Sequence, residues 1–222
     1  MHAVARALAG VRWLGGSPCA GKSTVASLLA AKHGLQLYSS DAAFERHSAL
    51  ADPASMPTIA RLRGMAWDDV FLRHHRPMVH DAVAACAEAF SLVVADLAAL
   101  PPEPPVLAEG MALLPACVAT LGAGALARAA WLVPTPTFQR AQYAARPWAR
   151  ELVDSTRDPA VAFERWMRRD ETSGRYVRAQ ARLVGGVLHM VRPDTTIEAL
   201  VAWVEQRLGL GRPLDSRTAA GT

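Results

Sequence analysis

Short apolar runs alternate with longer segments of helical periodicity along most of this chain. The apolar runs predict five strands, over residues 11–14, 35–38, 106–108, 129–133 and 187–191. These runs lack the polar alternation of a half-exposed strand, so each strand is expected to be covered on both faces. Strands that alternate with helices are typical of a parallel sheet between two helical layers. The pattern therefore predicts an α/β fold.

Glycines mark the ends of two predicted helices. A helix over residues 24–33 closes at Gly34, and a helix over 113–121 closes at Gly122 and Gly124. Glycine is common there because it adopts the left-handed backbone that ends many helices. Both helices would then cover the sheet between consecutive strands.

Proline and arginine organise the segment after the fourth predicted strand. A helix carries Arg140 and Arg146 and is stopped by Pro147, because proline lacks an amide hydrogen and its ring obstructs the preceding turn. A second, arginine-rich helix is expected over about 160–184, with a kink near residues 173–174. These two helices supply most of the cationic side chains near the end of the chain.

The apolar stretch after residue 77 has two interpretations. Its alanine-rich start and its lack of a helix breaker favour one long helix over 78–100. Residues 92–96 also resemble a short apolar strand that ends in Asp96, which would make Asp96 a carboxylate of a nucleotide site. The helix is the preferred interpretation.

Between the second strand and that helix the pattern is interrupted. Pro53 and Pro57 break it, and residues 42–77 mix apolar and aromatic side chains with charged ones. We expect a short helical insert that forms a lid or a substrate pocket, with ordinary packing of short helices on the sheet as the alternative. The chain is interpreted as a single domain over residues 1–211, followed by a flexible tail over 212–222.

Composition narrows the class of protein. The chain has 222 residues, an apolar fraction of 51% and a formal charge of +4, an excess too small and too scattered for a nucleic-acid-binding protein. Its three cysteines have neither metal-ligand nor disulfide spacing, which is typical of reduced thiols in the cytoplasm. Because the chain shows no signal-peptide pattern and no run of about 18 apolar residues, no association with a membrane is expected.

One motif carries specific chemistry. The residues after the first strand fit G-x-x-x-x-G-K-[ST], the phosphate-binding loop, and a helical pattern follows them. The loop and the start of its helix are Gly16, Ser17, Pro18, Cys19, Ala20, Gly21, Lys22, Ser23 and Thr24. Backbone amides and the positive end of the helix bind phosphate oxygens, Lys22 reaches the β- and γ-phosphates, and the Ser23 hydroxyl binds Mg²⁺. The motif therefore predicts a nucleotide site.

Two carboxylates follow predicted strands, at the edge where open α/β sheets bind their ligands. Asp41 accepts the proton of an acceptor hydroxyl or orients that hydroxyl; the alternative is that it caps the next helix. Glu109 holds Mg²⁺ through water or binds acceptor hydroxyls; the alternative is that it is merely solvated. The sequence leaves open whether Glu109 or Asp96 is the carboxylate on the metal side.

Arg146 is the leading cationic candidate beside the loop. Pro147 places it at the edge of a helix, from which it can move over the nucleotide and stabilise the negative charge of a transferred phosphoryl group. The alternative is a solvated arginine face, which is the usual state of a single arginine. That alternative applies more strongly to Arg168, Arg169 and Arg175.

Together these residues resemble the small phosphate-loop kinases, the group that includes shikimate, gluconate, adenylate and nucleoside kinases. Asp41 matches the strand-2 aspartate that contacts the acceptor in shikimate and gluconate kinases, and Arg146-Pro147 resembles the lid of shikimate kinase. Arg140 resembles the arginine that packs on adenine. The loop is also similar to that of chloramphenicol phosphotransferase, although the spacing from its lysine to the aspartate differs here.

The resemblance implies a three-layer phosphate-loop NTPase fold, with a five-stranded parallel sheet in the order 2-3-1-4-5, and it implies ATP and Mg²⁺ as cofactors. An arginine-rich lid region is expected over about 140–175. The implied reaction transfers the γ-phosphate to a hydroxyl of a small molecule, a metabolite or an antibiotic-like natural product. A nucleoside or nucleotide kinase and a regulatory nucleotide-binding protein are the alternatives. We expect a monomer or a homodimer.

Two departures from that group leave the acceptor open. Glu109-Gly110 stands where shikimate kinases have a glycine triplet after the third strand, and the insert over 42–77 matches no acceptor site of the group. The resemblance therefore predicts phosphoryl transfer without naming the molecule that receives the phosphate.

Overall fold

The structure, a computed structural model, describes residues 7–211. Its strands are β1 (Arg12–Gly16), β2 (Gln36–Ser39), β3 (Val106–Glu109), β4 (Ala129–Pro134) and β5 (Leu188–Val191). They form one parallel sheet in the order β2-β3-β1-β4-β5. The predicted α/β class, the parallel sheet and the order of its strands are confirmed.

Eleven helices accompany these strands in the described range. They are α1 (Lys22–His33), α2 (Ser40–Ala49), α3 (Pro57–Arg63), α4 (Trp67–Phe71), α5 (His75–Ala99), α6 (Pro115–Ala119), α7 (Ala123–Ala127), α8 (Pro136–Ala144), α9 (Pro147–Asp154), α10 (Pro159–Leu183) and α11 (Ile197–Leu208). Gly34 closes α1 with a left-handed φ of 62°, as predicted. Helices α2, α3 and α4 occupy the segment interpreted as an insert.

Alternate side chains of the central strands build two separate cores. On one face of the sheet, Leu14 and Leu132 pack with α1 and α11. On the other face, Trp13 and Trp131 pack with α5 and α10. All four side chains are fully buried, because helices cover both faces of the sheet. This burial on both faces explains why the central strands appear in the sequence as unbroken apolar runs.

The predicted helix over 113–121 is wrong in extent. The chain instead forms two short helices, α6 and α7, with Gly122 between them at a φ of 97°. Gly124 lies inside α7 and closes nothing. Pro115 takes the first position of α6, where its missing amide hydrogen costs no hydrogen bond, so the helix begins later than its apolar pattern suggests.

Arg140 and Arg146 do not share a helix, which corrects the prediction. Helix α8 ends at Ala144, and Pro147 begins α9 as its first residue. The residue before a proline avoids the helical conformation, and Arg146 accordingly has an extended backbone with φ −102° and ψ 114°. Arg146 therefore lies at the junction of two helices.

Helix α5 is a single element of 25 residues that begins at His75, three residues before its predicted start. Residues 92–96 are helical, so the alternative of a strand ending in Asp96 is wrong. By length and composition, α5 is the one helix of the described residues that is apolar enough to cross a membrane. In this fold it packs against α2, α3 and α10.

Helix α10 runs from Pro159 to Leu183, across the predicted kink at 173–174. Gly174 serves close packing instead, because a Cβ there would lie 3.0 Å from Val133 Cγ1 and 3.3 Å from Ser17 Oγ. The helix thus lies directly against β4 and the phosphate-binding loop. The predicted tail over 212–222 lies outside the described residues.

Candidate functional site

The phosphate-binding loop connects β1 to α1 and lies against β4. Its Ser17 amide donates a 2.9 Å hydrogen bond to the Leu132 carbonyl oxygen. A Cβ at Gly16, where φ is +132°, would lie only 2.0 Å from that same oxygen. Gly21 also has a positive φ, of 79°. Both fixed glycines of the motif therefore stand where a side chain would clash or strain the backbone.

Several backbone amides of this loop and of the start of α1 are free of backbone partners. Within the described residues, the amides of 19–24 donate no hydrogen bond to a backbone carbonyl, and no side chain caps the start of α1. Cys19 has a left-handed φ of 62°, a conformation that helps successive amides to form an anion-binding concavity. Lys22 is buried, and its Nζ donates a 2.9 Å hydrogen bond to the Ser17 carbonyl. This geometry is suited to bound phosphate.

Glu109 lies at the end of β3, beside the start of α1. Its buried carboxylate accepts hydrogen bonds from Ser23 Oγ at 3.1 Å and from Ser39 Oγ at 2.5 Å. A hydroxyl and a carboxylate are hard oxygen ligands, and Mg²⁺ commonly takes one or two of them together with phosphate oxygens. The pair fits Mg²⁺ in that partial role. The described residues contain no cluster of three or more His, Cys, Asp or Glu that would hold a metal without phosphate.

Asp96 lies away from the loop, on α5. Its carboxylate accepts hydrogen bonds from the Tyr38 hydroxyl at 2.7 Å and from both Arg46 Nη atoms, and it lies 2.7 Å from His47 Nε2. The hydrogen bonds from Arg46, Tyr38 and His47 outweigh partial burial and hold the pKa of Asp96 well below its ordinary value. These contacts join α2 and β2 to α5, away from the loop. Of the two candidate carboxylates, Glu109 is therefore the one beside Ser23.

Asp41 lies in the first turn of α2 and is exposed. Its Oδ1 accepts a 2.8 Å hydrogen bond from the Met111 amide, while the Ser39 hydroxyl accepts from the Ala42 amide and caps the helix. The capping role considered for Asp41 therefore belongs to Ser39. A Cβ at Gly110 would lie 2.8 Å from Asp41 Oδ1, so this glycine permits the approach of the two segments.

Two cavities meet at Asp41. A cleft of about 460 Å³ lies over the loop and includes Lys22 and Ser23. A second cavity of about 280 Å³ extends from the loop between the insert, α5 and α10. Four residues line both spaces: Pro18, Asp41, Met111 and Arg169. A molecule in the second cavity would therefore meet a nucleotide on the loop next to the Asp41 carboxylate.

The walls of the second cavity are mainly apolar. They include side chains from the insert, from α5 and from α10, namely Phe44, Leu62, Val70, Met78, Val83 and Val177. Asp81 is the charged group on α5, and it accepts hydrogen bonds from Arg61 and Arg73. Burial alone would raise the pKa of Asp81, but these hydrogen bonds outweigh it and lower the pKa. The insert thus supplies both the apolar wall and the arginines that neutralise this carboxylate.

Arg146 lines the cleft over the loop together with Lys22. Its guanidinium lies 5.7 Å from the centre of the Tyr143 ring and 6.0 Å from that of Trp148, within the range of cation–π contacts. These aromatic rings belong to α8 and α9, on either side of the junction that Arg146 occupies. The structure therefore brings Arg146 to the phosphate loop.

Arg169 is the residue that sequence reasoning undervalued. Its guanidinium lies 2.6 Å from the buried Asp170 carboxylate, which also accepts a 2.7 Å hydrogen bond from the Tyr143 hydroxyl. Burial, together with the charge of Asp170, raises the pKa of Tyr143. The sequence did contain one signal of this pairing. Asp170 lies on the same helical face as Trp166 and Val177, and a carboxylate on an apolar face needs a partner.

Three other arginine side chains of this region form ion pairs on the surface. Arg140 makes two hydrogen bonds with Glu164, at 2.9 and 3.0 Å, and it is not among the described residues that line the two cavities. Arg168 also binds Glu164, and Arg175 binds Glu171. An adenine contact of Arg140 stays a prediction, and it would require Arg140 to leave Glu164.

No protein-family model and no curated protein matches this chain. The loop, the two carboxylates and the two cavities are therefore the observations from which a function can be inferred.

Proposed function

We propose that this chain is an ATP- and Mg²⁺-dependent kinase of the phosphate-loop NTPase fold, which transfers the γ-phosphate to a hydroxyl of a small molecule. The observation that carries the proposal is the position of Asp41, on the wall shared by the loop cleft and the second cavity. A carboxylate at such a junction lies within reach of an acceptor hydroxyl and of the phosphate it attacks. A protein that only binds nucleotide needs no such second cavity.

The phosphates are assigned to the loop. The amides of residues 19–24 and the ammonium of the buried Lys22 would donate to phosphate oxygens. Ser23 and Glu109 would hold Mg²⁺, which supplies neutralisation of the phosphate charge when it is bound. Lys22 would leave its present hydrogen bond to the Ser17 carbonyl and turn toward the phosphates.

Asp41 is assigned to the acceptor. Its carboxylate accepts the proton of the acceptor hydroxyl while the hydroxyl oxygen forms a bond to the γ-phosphorus and the bond to the departing diphosphate breaks. The hydrogen bond from the Met111 amide engages Oδ1 and orients the group. Arg146, which lines the same cleft, would balance the charge of the transferred phosphoryl group.

The test separates ATP binding from phosphoryl transfer. In Asp41→Asn we expect ATP affinity, measured by calorimetry, to change little and the transfer of labelled phosphate to an acceptor to fall about 10²–10⁴-fold. Glu45→Gln is the matched control, because Glu45 is an exposed carboxylate on the same helix. Full transfer by Asp41→Asn would remove Asp41 from the chemistry. ATP binding with no acceptor phosphorylated, across sugars, nucleotides and neutral alcohols, would favour a regulatory nucleotide-binding protein.

A further inference from the structure

We infer that the acceptor is an uncharged, largely apolar alcohol or phenol that carries a second neutral hydrogen-bonding group. The inference rests on the proposed kinase function and names the class of molecule that the second cavity takes. Three features of the cavity carry it: the paired state of its charges, the apolar character of its walls, and two buried hydroxyls that have no partner.

Apart from Asp41, which is assigned to the acceptor hydroxyl, the charged groups of the cavity are already paired. Both described arginines in its lining are bound to carboxylates, Arg73 to Asp81 and Arg169 to Asp170. Asp81 accepts from Arg61 through its other oxygen, and Asp170 accepts from Tyr143 through its other oxygen. A carboxylate or phosphate on the acceptor would have to compete with these buried carboxylates for a cation, at the cost of breaking a buried ion pair. The cavity is therefore built for a neutral molecule.

The apolar walls also disfavour a polyol. A sugar would bring several hydroxyl groups against side chains such as Met78, Val83 and Val177, which offer no hydrogen bond. Each hydroxyl that loses water without gaining a partner opposes binding. The volume of about 280 Å³ lies near the lower end of small-molecule pockets, so a compact acceptor with one apolar body fits best.

Two hydroxyls in the lining are left without partners. The Oγ atoms of Ser17 and Ser173 are buried and make no hydrogen bond within the described residues, and Ser17 as a whole is only 3% exposed. The site of a Cβ on Gly174 lies 3.3 Å from Ser17 Oγ, so the turn of α10 that carries Ser173 packs beside Ser17. Buried hydroxyls are normally satisfied, so a ligand group is the expected partner. A neutral hydroxyl or carbonyl matches them, since a hydroxyl can both donate and accept.

The acceptor class is tested with matched probes. The probes are 3-phenylpropane-1,2-diol, 3-phenylpropan-1-ol, 3-phenyllactate, glucose and cytidine monophosphate, each with labelled ATP and the full chain. The diol and 3-phenyllactate share one carbon skeleton. The diol carries a hydroxymethyl group where 3-phenyllactate carries a carboxylate. We expect kcat/KM for the diol to exceed the values for 3-phenyllactate and glucose by at least about 100-fold, as the loss of a buried ion pair implies.

Two variants locate the acceptor in this cavity. Ala82→Phe fills the lining of α5 and should weaken binding of the diol, measured by calorimetry without ATP, by at least about tenfold. Ala84→Phe, at a similarly half-buried position on the same helix outside the lining, is the matched control. Ser173→Ala should reduce the preference for the diol over 3-phenylpropan-1-ol by about fivefold to tenfold, because only the diol carries the second hydroxyl. A purely structural effect of this change would weaken both alcohols equally.

The outcomes separate this inference from the proposed function. Phosphorylation of glucose, 3-phenyllactate or cytidine monophosphate in preference to the diol would overturn the neutral acceptor while leaving a kinase. Equal effects of Ala82→Phe and Ala84→Phe on binding of the diol would overturn the assignment to this cavity. Failure of the chain to bind ATP at all would overturn the kinase itself, whatever the alcohols do.

Discussion

The two cavities that meet at Asp41 are built in opposite ways. The cleft over the loop takes most of its donors from the consecutive residues 18–24, chiefly as backbone amides, and Arg146 joins them from another segment. The apolar cavity takes its walls from the insert, α5 and α10, and its lining consists of side chains. A local segment can thus define a phosphate site by backbone conformation alone, whereas a pocket for an acceptor needs several elements to pack together.

The two carboxylates at the sheet edge show the same contrast. Glu109 is 1% exposed and binds two hydroxyls, Ser23 on the loop helix and Ser39 at the end of β2. Asp41 is exposed, and only its Oδ1 accepts a hydrogen bond from the protein backbone, at Met111. A carboxylate held from both sides is suited to a fixed role beside the loop. A carboxylate that is left partly free is suited to accept a proton from a bound substrate.

The largest effect expected on the loop side is that of Lys22→Ala. Loss of a charged donor to phosphate in a dry site should cost about 2–4 kcal/mol of transition-state stabilisation, a fall of roughly 30–1,000-fold in kcat/KM. Steady-state kinetics with ATP and any active acceptor measure it. Lys32→Ala on the exposed side of the same helix is the matched control. If the two variants turned over ATP equally, the loop would have no catalytic part.

Arg146→Ala should have the next largest effect. The junction position and the shared cleft predict a fall of about 100-fold in kcat, with a much smaller change in ATP affinity, because the contact with the phosphoryl group strengthens in the transition state. Arg146→Lys should restore only part of the loss, because a point charge lacks the planar guanidinium fork. Arg150→Ala, an exposed arginine of α9, is the control. Unaltered kcat in Arg146→Ala would exclude Arg146 from the mechanism.

Gly110→Ala should change stability more moderately. Its φ of +132° and the close approach of Ser40 and Asp41 leave no room for a methyl group, and we expect a loss of about 1–3 kcal/mol in the free energy of unfolding. Urea unfolding measures this loss. Gly64→Ala is the matched control, because Gly64 has a φ of −92° and its Cβ site is 3.8 Å from the nearest atom. Equal midpoints for the two variants would contradict the steric argument.

An effect of similar size is expected for Asp96, and it depends on pH. Asp96→Asn should lower the free energy of unfolding by about 1.5–3 kcal/mol near neutral pH, by weakening charged hydrogen bonds. Because folding lowers the pKa of Asp96, this stabilisation is present above its unfolded pKa of about 3.9 and is lost as the pH falls toward the lower folded value. Urea unfolding between pH 6 and pH 2.5 should therefore show the penalty shrinking in acid.

The exposed Asp194 provides the reference, since Asp194→Asn should change stability little at any of these pH values. A penalty for Asp96→Asn that stays constant from pH 6 to pH 2.5 would show that ionisation of Asp96 contributes nothing to the stability of this cluster. The cluster would then act through packing and neutral hydrogen bonds.

The sequence by itself determined the features that depend on neighbouring residues. The apolar runs determined the three central strands because both faces of each are buried, whereas the edge strands β2 and β5 are only partly buried. The motif determined the loop because its glycines need positive φ values. Glu109 and Asp41 could be found for a similar reason, because each follows a strand whose end lies at the ligand-binding edge of the sheet. Gly34 acted on its own segment, and its place at the end of α1 was predicted correctly.

Only the tertiary structure decided which distant groups meet. The hydrogen bond of Tyr143 to Asp170, and the pairing of Asp96 with Arg46 and His47, depend on how elements far apart in sequence pack on the sheet. A local pattern says which face of a helix is apolar, but not which partner will neutralise a charge on it. The apolar cavity has the same origin, because its volume is what remains between packed elements. The shape of the apolar cavity therefore depends on how α5, α10 and the insert pack together in the folded protein.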